Sequence, residues 1–171
     1  MSAFNLDSRV RAAMVSDSLD VIGIGNCVIN STVRALRPGM RTTGIAATIE
    51  FEPSGEYNKE DPYGAAIDCL DGLQPGQLAV VATGGRDGLA FWGELFSAAA
   101  KGRGGTGMVC DGPKRDAEAI VGFEFNVFGA SMHPNDHKGQ MRVASSGKSI
   151  ICAGVQVHPE DAVIADTYGV L

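Results

Sequence analysis

Two short apolar runs, QLAVVAT at 77–83 and TGMVC at 106–110, bracket a segment with the make-up of a helix followed by a glycine turn. Short runs without polar alternation are what strands show when both of their faces are covered. The intervening segment ends in GRGG and is far too long for a hairpin, so it reads as a crossover between parallel strands. A parallel pair needs packed layers on both sides. The chain is therefore expected to be a layered α/β domain, with the loops after both strands opening on one shared edge.

The rest of the chain fits around that unit. The crossover predicts a helix from Leu89 to Lys101, with Phe91, Leu95, Phe96 and Ala99 as one apolar stripe. The β-branched run TTGIAATIEFEP, set between Gly39 and Pro53, predicts a strand. DPYGAAIDCLDGLQPG opens on Asp-Pro and closes on Gly and Pro turns, which marks a short helix. A helix is expected from about Ser8 to Leu19, with Val10, Ala13, Met14 and Leu19 as inner positions. In the last third, AIVGFEFNVFG, QMRVAS, SIICAGVQVHP and DAVIADTYGVL all read as strand-like segments. No linker or low-complexity tract divides residues 1–171, so one domain is expected, an α/β half joined to a predominantly β half.

Composition excludes several functions. With 171 residues, 44% hydrophobic and 20% charged, the chain can bury a real core. A formal net charge of -6 repels a phosphate backbone, which argues against general nucleic-acid binding. No apolar run is long enough to span a bilayer, and the N-terminal residues lack a charged-then-apolar signal pattern, so a cytoplasmic protein is expected. The cysteines at 27, 69, 110 and 152 form no C-x-x-C pair and support no zinc knuckle; Cys69, Cys110 and Cys152 read as buried thiols. Gly23-x-Gly25 has Val28 at the third position of a dinucleotide fingerprint and reads as a turn.

The candidate chemistry lies at the shared edge. TGGRDG follows the first buried strand, DGPKRD follows the second, and Glu94 falls near the start of the crossover helix. The backbone from Gly84 through Gly85 to Leu89 leads toward a helix N-terminus, which favours an anion. Arg115 can hold a carboxylate or an enolate oxygen in fork geometry. Asp116 and Glu94 are hard oxygen donors suited to magnesium or manganese, and an ion with two protein carboxylates keeps waters that a chelating substrate can displace. Each feature has a simpler structural reading taken alone: a dipole partner, a solvated ion pair, a tight turn. Their convergence carries the case. In HPNDH, the His133, Asp136 and His137 cluster is read as a polar surface turn because Pro134 and Asn135 oppose a helix, with a minor role at the site rim as the alternative. Phe91 and Trp92 are read as core residues, and His158-Pro159 as a turn.

Glu94, twenty intervening residues and then Arg115-Asp116 resembles the acidic-x20-Arg-Asp signature of the RraA-like superfamily. MVSDSLD, LRPGMRTTGIAATIEF, FNVFGASMHPNDHKGQMRV and GVQVHPEDAVIADTYGV are similar to other segments of that superfamily, so the resemblance spans most of the chain. It implies a three-layer β/β/α swivelling domain, assembled as a trimer or a pair of trimers. It also implies a magnesium- or manganese-dependent carbon–carbon lyase that cleaves 4-hydroxy-2-oxo acids or decarboxylates oxaloacetate to pyruvate. On the resemblance, Asp116 binds the metal, Glu94 holds a metal-bound water, and Arg115 binds the 2-oxo acid. The backbone around Gly84, Gly85, Gly93, Glu94 and Leu95 would receive the substrate carboxylate. The long aldolases of the superfamily carry a further C-terminal acidic segment, whereas this sequence stops at Leu171, so decarboxylation is the firmer expectation. Non-catalytic members that bind a ribonuclease supply the alternative; the type member lacks the Arg-Asp pair that is intact here.

Overall fold

A computed structural model describes residues 4, 6–55 and 58–171; positions 1–3 and 5 of the stretch read for an export signal lie outside the described residues. The described chain begins with α1 (Ala12–Val21), β1 (Arg34–Ala35), β2 (Thr42–Pro53), α2 (Ala65–Asp71) and β3 (Gln77–Ala82). It continues through α3 (Glu94–Gly102), β4 (Gly107–Cys110), α4 (Ala117–Gly122), β5 (Val127–Gly129) and β6 (Met141–Ser146). It ends with β7 (Ile150–Cys152), β8 (Val155–Val157), β9 (Ala162–Asp166) and β10 (Gly169–Val170). No described helix is long and apolar enough to cross a membrane.

The expected parallel unit is present. β3 and β4 pair in parallel with Ala79 opposite Met108 and Val80 opposite Val109. The main sheet runs β1-β5-β4-β3-β2-β9-β10, and β6 also pairs with β2. The long β2 strand makes this possible: Thr42–Ile45 pair with β9, while Ile49–Pro53 pair with β6.

Strand periodicity distributes the side chains between two cores. Leu78, Val80 and Ala82 of β3 pack with Val109, Phe128 and the β7–β8 residues Ile150, Cys152, Val155 and Val157. Ala79 and Val81 point the other way, into a core with Met108, Cys110, Leu70 of α2, Ala100 of α3 and Ile120 of α4. The sheet thus lies between a β-hairpin and a helical layer, the β/β/α arrangement expected. All four cysteines are free; Cys110 and Cys152 are buried, while Cys69 is only half-buried, contrary to expectation. Burial pushes both the Cys110 and Cys152 thiols up, away from thiolate chemistry.

Several boundaries differ from the sequence reading. α1 starts at Ala12, not Ser8, and buries only Ala12; Met14 is 54% exposed. The crossover helix starts at Glu94, five residues later than expected. Residues 90–92 are instead extended, with Phe91 donating its N–H to Pro113 and Trp92 accepting from the Arg115 N–H. Phe91 enters the core, but Leu95 is 72% exposed and Ala99 is exposed; the inward helix positions are Ser97 and Ala100, with Phe96 half-buried. The Ser97 hydroxyl satisfies the buried Trp92 indole N–H at 2.8 Å, which turns this face inward. AIVGF is not a strand: its first part is α4, where Asp116 opens the turn and Ile120 is buried under the sheet.

Leu78 is fully buried at the centre of the sheet. Leu78→Ala is expected to lower unfolding free energy by about 2–5 kcal/mol. Urea denaturation checks this, and a loss below about 1 kcal/mol would contradict a tightly packed β3.

Candidate functional site

A cavity of about 250 Å³ opens between α2, the start of α3 and the turn that follows β4. Its lining includes Gly93, Glu94, Leu95, Arg115 and Asp116, five of the residues singled out from sequence. The close approach that joins them depends on Gly93. A Cβ there would meet Asp116 Oδ2 at 2.5 Å and Arg115 Cγ at 3.2 Å. Without one, the Glu94 N–H donates to Asp116 Oδ2 at 3.0 Å. Asp116 itself adopts φ 58, ψ 37, a left-handed conformation that Asp tolerates better than most residues.

That conformation turns Asp116 away from capping α4 and toward α3. Its Oδ2 is held by Glu94 and lies 3.5 Å from Arg115 Nε, while its Oδ1 engages no described residue. The Glu94 carboxylate, at the first position of α3, is exposed and likewise unengaged by any described residue. Two carboxylates are therefore available as hard oxygen donors. Among the described residues there is no group of three or more His, Cys, Asp or Glu able to cage a metal.

Gly84 and Gly85 do not line this cavity. They form an exposed turn with φ 69 and 67 after β3. Buried Asp111 ties that turn down: its Oδ1 accepts the Thr83 N–H at 2.6 Å and hydroxyl at 2.7 Å, and its Oδ2 accepts the Gly85 N–H at 3.1 Å. Lys114, next to the Arg-Asp pair, is buried and donates to the Gly129 carbonyl at 2.9 Å; burial pulls its pKa down.

Three further residues complete the site. Arg115 Nη2 donates to Asp136 Oδ2 at 2.9 Å, and the Tyr63 hydroxyl donates to the same oxygen at 2.6 Å. Asp136 Oδ1 accepts from the Lys138 N–H at 3.2 Å and lies 3.2 Å from His137 Nδ1. Burial alone would raise the Asp136 pKa, but the hydrogen bonds from His137, Tyr63 and the Lys138 N–H outweigh it and hold the carboxyl well below its ordinary range. Burial and the bond to Asp136 push the Tyr63 phenol up, so it stays a donor.

The HPNDH stretch is thus not a surface turn throughout. Pro134 and Asn135 are exposed, but His137 is 3% exposed and stacks on Phe91 with ring centroids 5.4 Å apart and planes 9° apart. His137 Nδ1 also lies 3.1 Å from the Ala90 carbonyl, so this nitrogen carries a proton; Nε2 is buried without a hydrogen-bond partner among the described residues. The sequence held one signal for this, a His-rich cluster between strands. It held none for the backbone ties from Ala90 to Asn135 and His137 that draw the cluster to the cavity.

The family model RraA-like, described as Aldolase/RraA, matches residues 12–171. The chain is 28% identical to protein DlpA of Legionella pneumophila over 160 residues, covering 94% of this chain and 25% of that protein. It spans only that quarter of the relative's length. A Halalkalibacterium halodurans protein provisionally named 4-hydroxy-4-methyl-2-oxoglutarate aldolase is 27% identical over 158 residues, 91% of this chain and 69% of that protein. Among solved structures, Streptomyces coelicolor RraAS2, described as an unusual member of the RNase ES inhibitor RraA protein family, superposes with a TM-score of 0.83 at 28% identity. That match covers 95% of this chain and 80% of the other.

Gly93→Ala is expected to push Asp116 off the Glu94 N–H and to cost about 1–3 kcal/mol, read by urea unfolding. Asp136 generates an acid-limb prediction. Its folded pKa lies below the ordinary 3.8, so its stabilisation is present above that value and drains away as pH falls through 3.8 toward the folded value. The stability gap between wild type and Asp136→Asn should therefore shrink between about pH 6 and about pH 3. A gap that stays constant over that interval would show that the carboxylate is not held as described.

Proposed function

Because the chain belongs to the RraA-like (Aldolase/RraA) family, we propose that this cavity is the active centre of a divalent-metal-dependent lyase that converts oxaloacetate or a 4-hydroxy-2-oxo acid to pyruvate. One observation carries the reading: Arg115, Asp116 and Glu94 line one cavity, with an Asp116 oxygen and the Glu94 carboxylate unengaged by any described residue. Asp116 would hold magnesium or manganese directly and Glu94 through water. When bound, the ion supplies Lewis-acid polarisation of the 2-oxo group.

The chain's own residues account for the rest. The substrate carboxylate is received by Arg115 and by the N–H groups of Leu95 and Phe96, which no earlier turn of α3 can claim. Asp136 and Asp116 grip two nitrogens of the Arg115 guanidinium, which orients its remaining donors without loss of rotamer freedom during the reaction. When the C–C bond breaks, its electron pair passes into the enolate of pyruvate, and carbon dioxide or a carbonyl fragment departs. Arg115 stabilises the enolate oxygen, an effect that is largest in a dry, preorganised site. Glu94 orients the water that returns a proton to the enolate carbon. Aldol cleavage additionally needs a base for the substrate hydroxyl.

A homotrimer, or a pair of trimers, is part of the proposal. It is supported by an exposed apolar run on α1 and the turn after it, where Val21 is 86%, Ile22 67% and Val28 52% exposed. The likeness to RraAS2 keeps one other reading in play, a regulator that binds a ribonuclease.

Pyruvate release from oxaloacetate should require magnesium or manganese and stop with a chelator. Arg115→Ala should lower kcat/KM by about 10²–10³-fold, or roughly 3–4 kcal/mol, with folding retained by circular dichroism. Unimpaired turnover in that variant would remove Arg115 from the mechanism. Silence toward a panel of 2-oxo acids, with saturable ribonuclease binding, would favour the regulator.

A further inference from the structure

Beside the charged mouth, the cavity has a wall with different chemistry. Tyr63, Ile67, Leu70, Phe96 and Ala99 contribute it, from α2, the segment leading into it, and α3. Among the described lining residues, Arg115 is the one Lys or Arg, and it already faces Asp116 and Asp136. The lining instead holds four carboxylates, Asp71, Glu94, Asp116 and Asp136. Arg103 pairs with Asp71 at 2.7 Å and is not part of the lining.

The wall's hydrogen-bond donors are also committed. The Tyr63 hydroxyl is given to Asp136 at 2.6 Å, and the Trp92 indole N–H to Ser97 at 2.8 Å. A ligand whose first carboxylate binds at Arg115 therefore finds no second Lys or Arg among the described lining residues, and the unpartnered His137 Nε2 is buried beneath the Phe91 and Tyr63 rings. A second carboxylate on such a ligand would stand among the lining carboxylates and gain no Lys or Arg partner from the described lining residues. An apolar substituent in the same position would exchange water for Ile67, Leu70 and Phe96.

We propose that the cavity selects 2-oxo acids whose distal substituent is apolar, an aryl or branched alkyl group, over those that end in a second carboxylate. This rests on the lyase reading for the chemistry, but the selectivity is a property of binding and is measured without turnover. On this view oxaloacetate is a serviceable assay substrate, and the preferred one is a monocarboxylic 4-hydroxy-2-oxo acid with an apolar tail.

Trp92 is the chain's one tryptophan and lines the cavity, so its emission reports occupancy. Wild-type protein with magnesium is titrated with 2-oxo-4-phenylbutanoate and, separately, with 2-oxoglutarate. The aryl acid is expected to bind at least about tenfold more tightly. Equal or tighter binding of the dicarboxylate, or no Trp92 response to either acid, overturns the proposal. Ile67 is 45% exposed, so Ile67→Lys is tolerated by the fold and adds the missing cation. It should narrow or reverse the preference by about tenfold; an unchanged ratio places the tail elsewhere and overturns the proposal. Pyruvate release from oxaloacetate is assayed in parallel. Its absence, with the binding preference intact, defeats the lyase reading and leaves the selectivity standing.

Discussion

The parallel pairing of β3 with β4 is the constraint on which the rest of the structure rests. Every residue of both strands except Gln77 is buried. A pair so apolar on both faces must be covered twice, by the β7–β8 hairpin on one side and by α2, α3 and α4 on the other. Parallel direction also brings the turns after β3 and β4 to one edge of the sheet. The Arg115-Asp116 turn and the start of α3 meet there because the strands leave them no other place.

Meeting at an edge is not yet a site. Three local features turn proximity into geometry. Gly93 lacks the Cβ that would strike Asp116. Asp116 takes a left-handed backbone conformation and gives Oδ2 to the Glu94 N–H. Asp136 then takes Arg115 and Tyr63 on a single oxygen. The left-handed residue costs of order 1 kcal/mol or more and persists only because its surroundings are rigid. The result is a mouth rich in carboxylates around one guanidinium, flanked by an apolar wall. That division of charge suits a ligand with one anionic end, and a cation to offset the excess of carboxylates.

Much of this was readable from residue patterns. β2 was legible from its β-branched run between Gly39 and Pro53, and β3 and β4 from their unbroken apolar character. Glu94, Arg115 and Asp116 were legible as a group because their spacing spans one strand-helix-strand unit. The misses share a cause. Phe91 has helical spacing from Leu95, but the backbone of residues 90–92 is committed to the neighbouring loops and forms extended bridges there. Ala119 to Val121 resemble a strand, but the reversal at Asp116 starts a helical turn before they can pair. His137 sits in a sequence that favours a turn, yet its ring is buried against Phe51 and Phe91, which belong to distant segments.

By itself, then, the sequence determined the layers, the direction of the central strands and the chemical types gathered at their edge, because burial and periodicity act over a few neighbouring residues. Only the tertiary structure decided which groups share a cavity. It separated Gly84 and Gly85, held instead by Asp111, from Gly93 and Glu94, and it enlisted Tyr63 and Asp136, which no local pattern ties to Arg115. Those choices are made by hydrogen bonds and ring contacts between segments tens of residues apart, and such contacts exist only after the chain has closed.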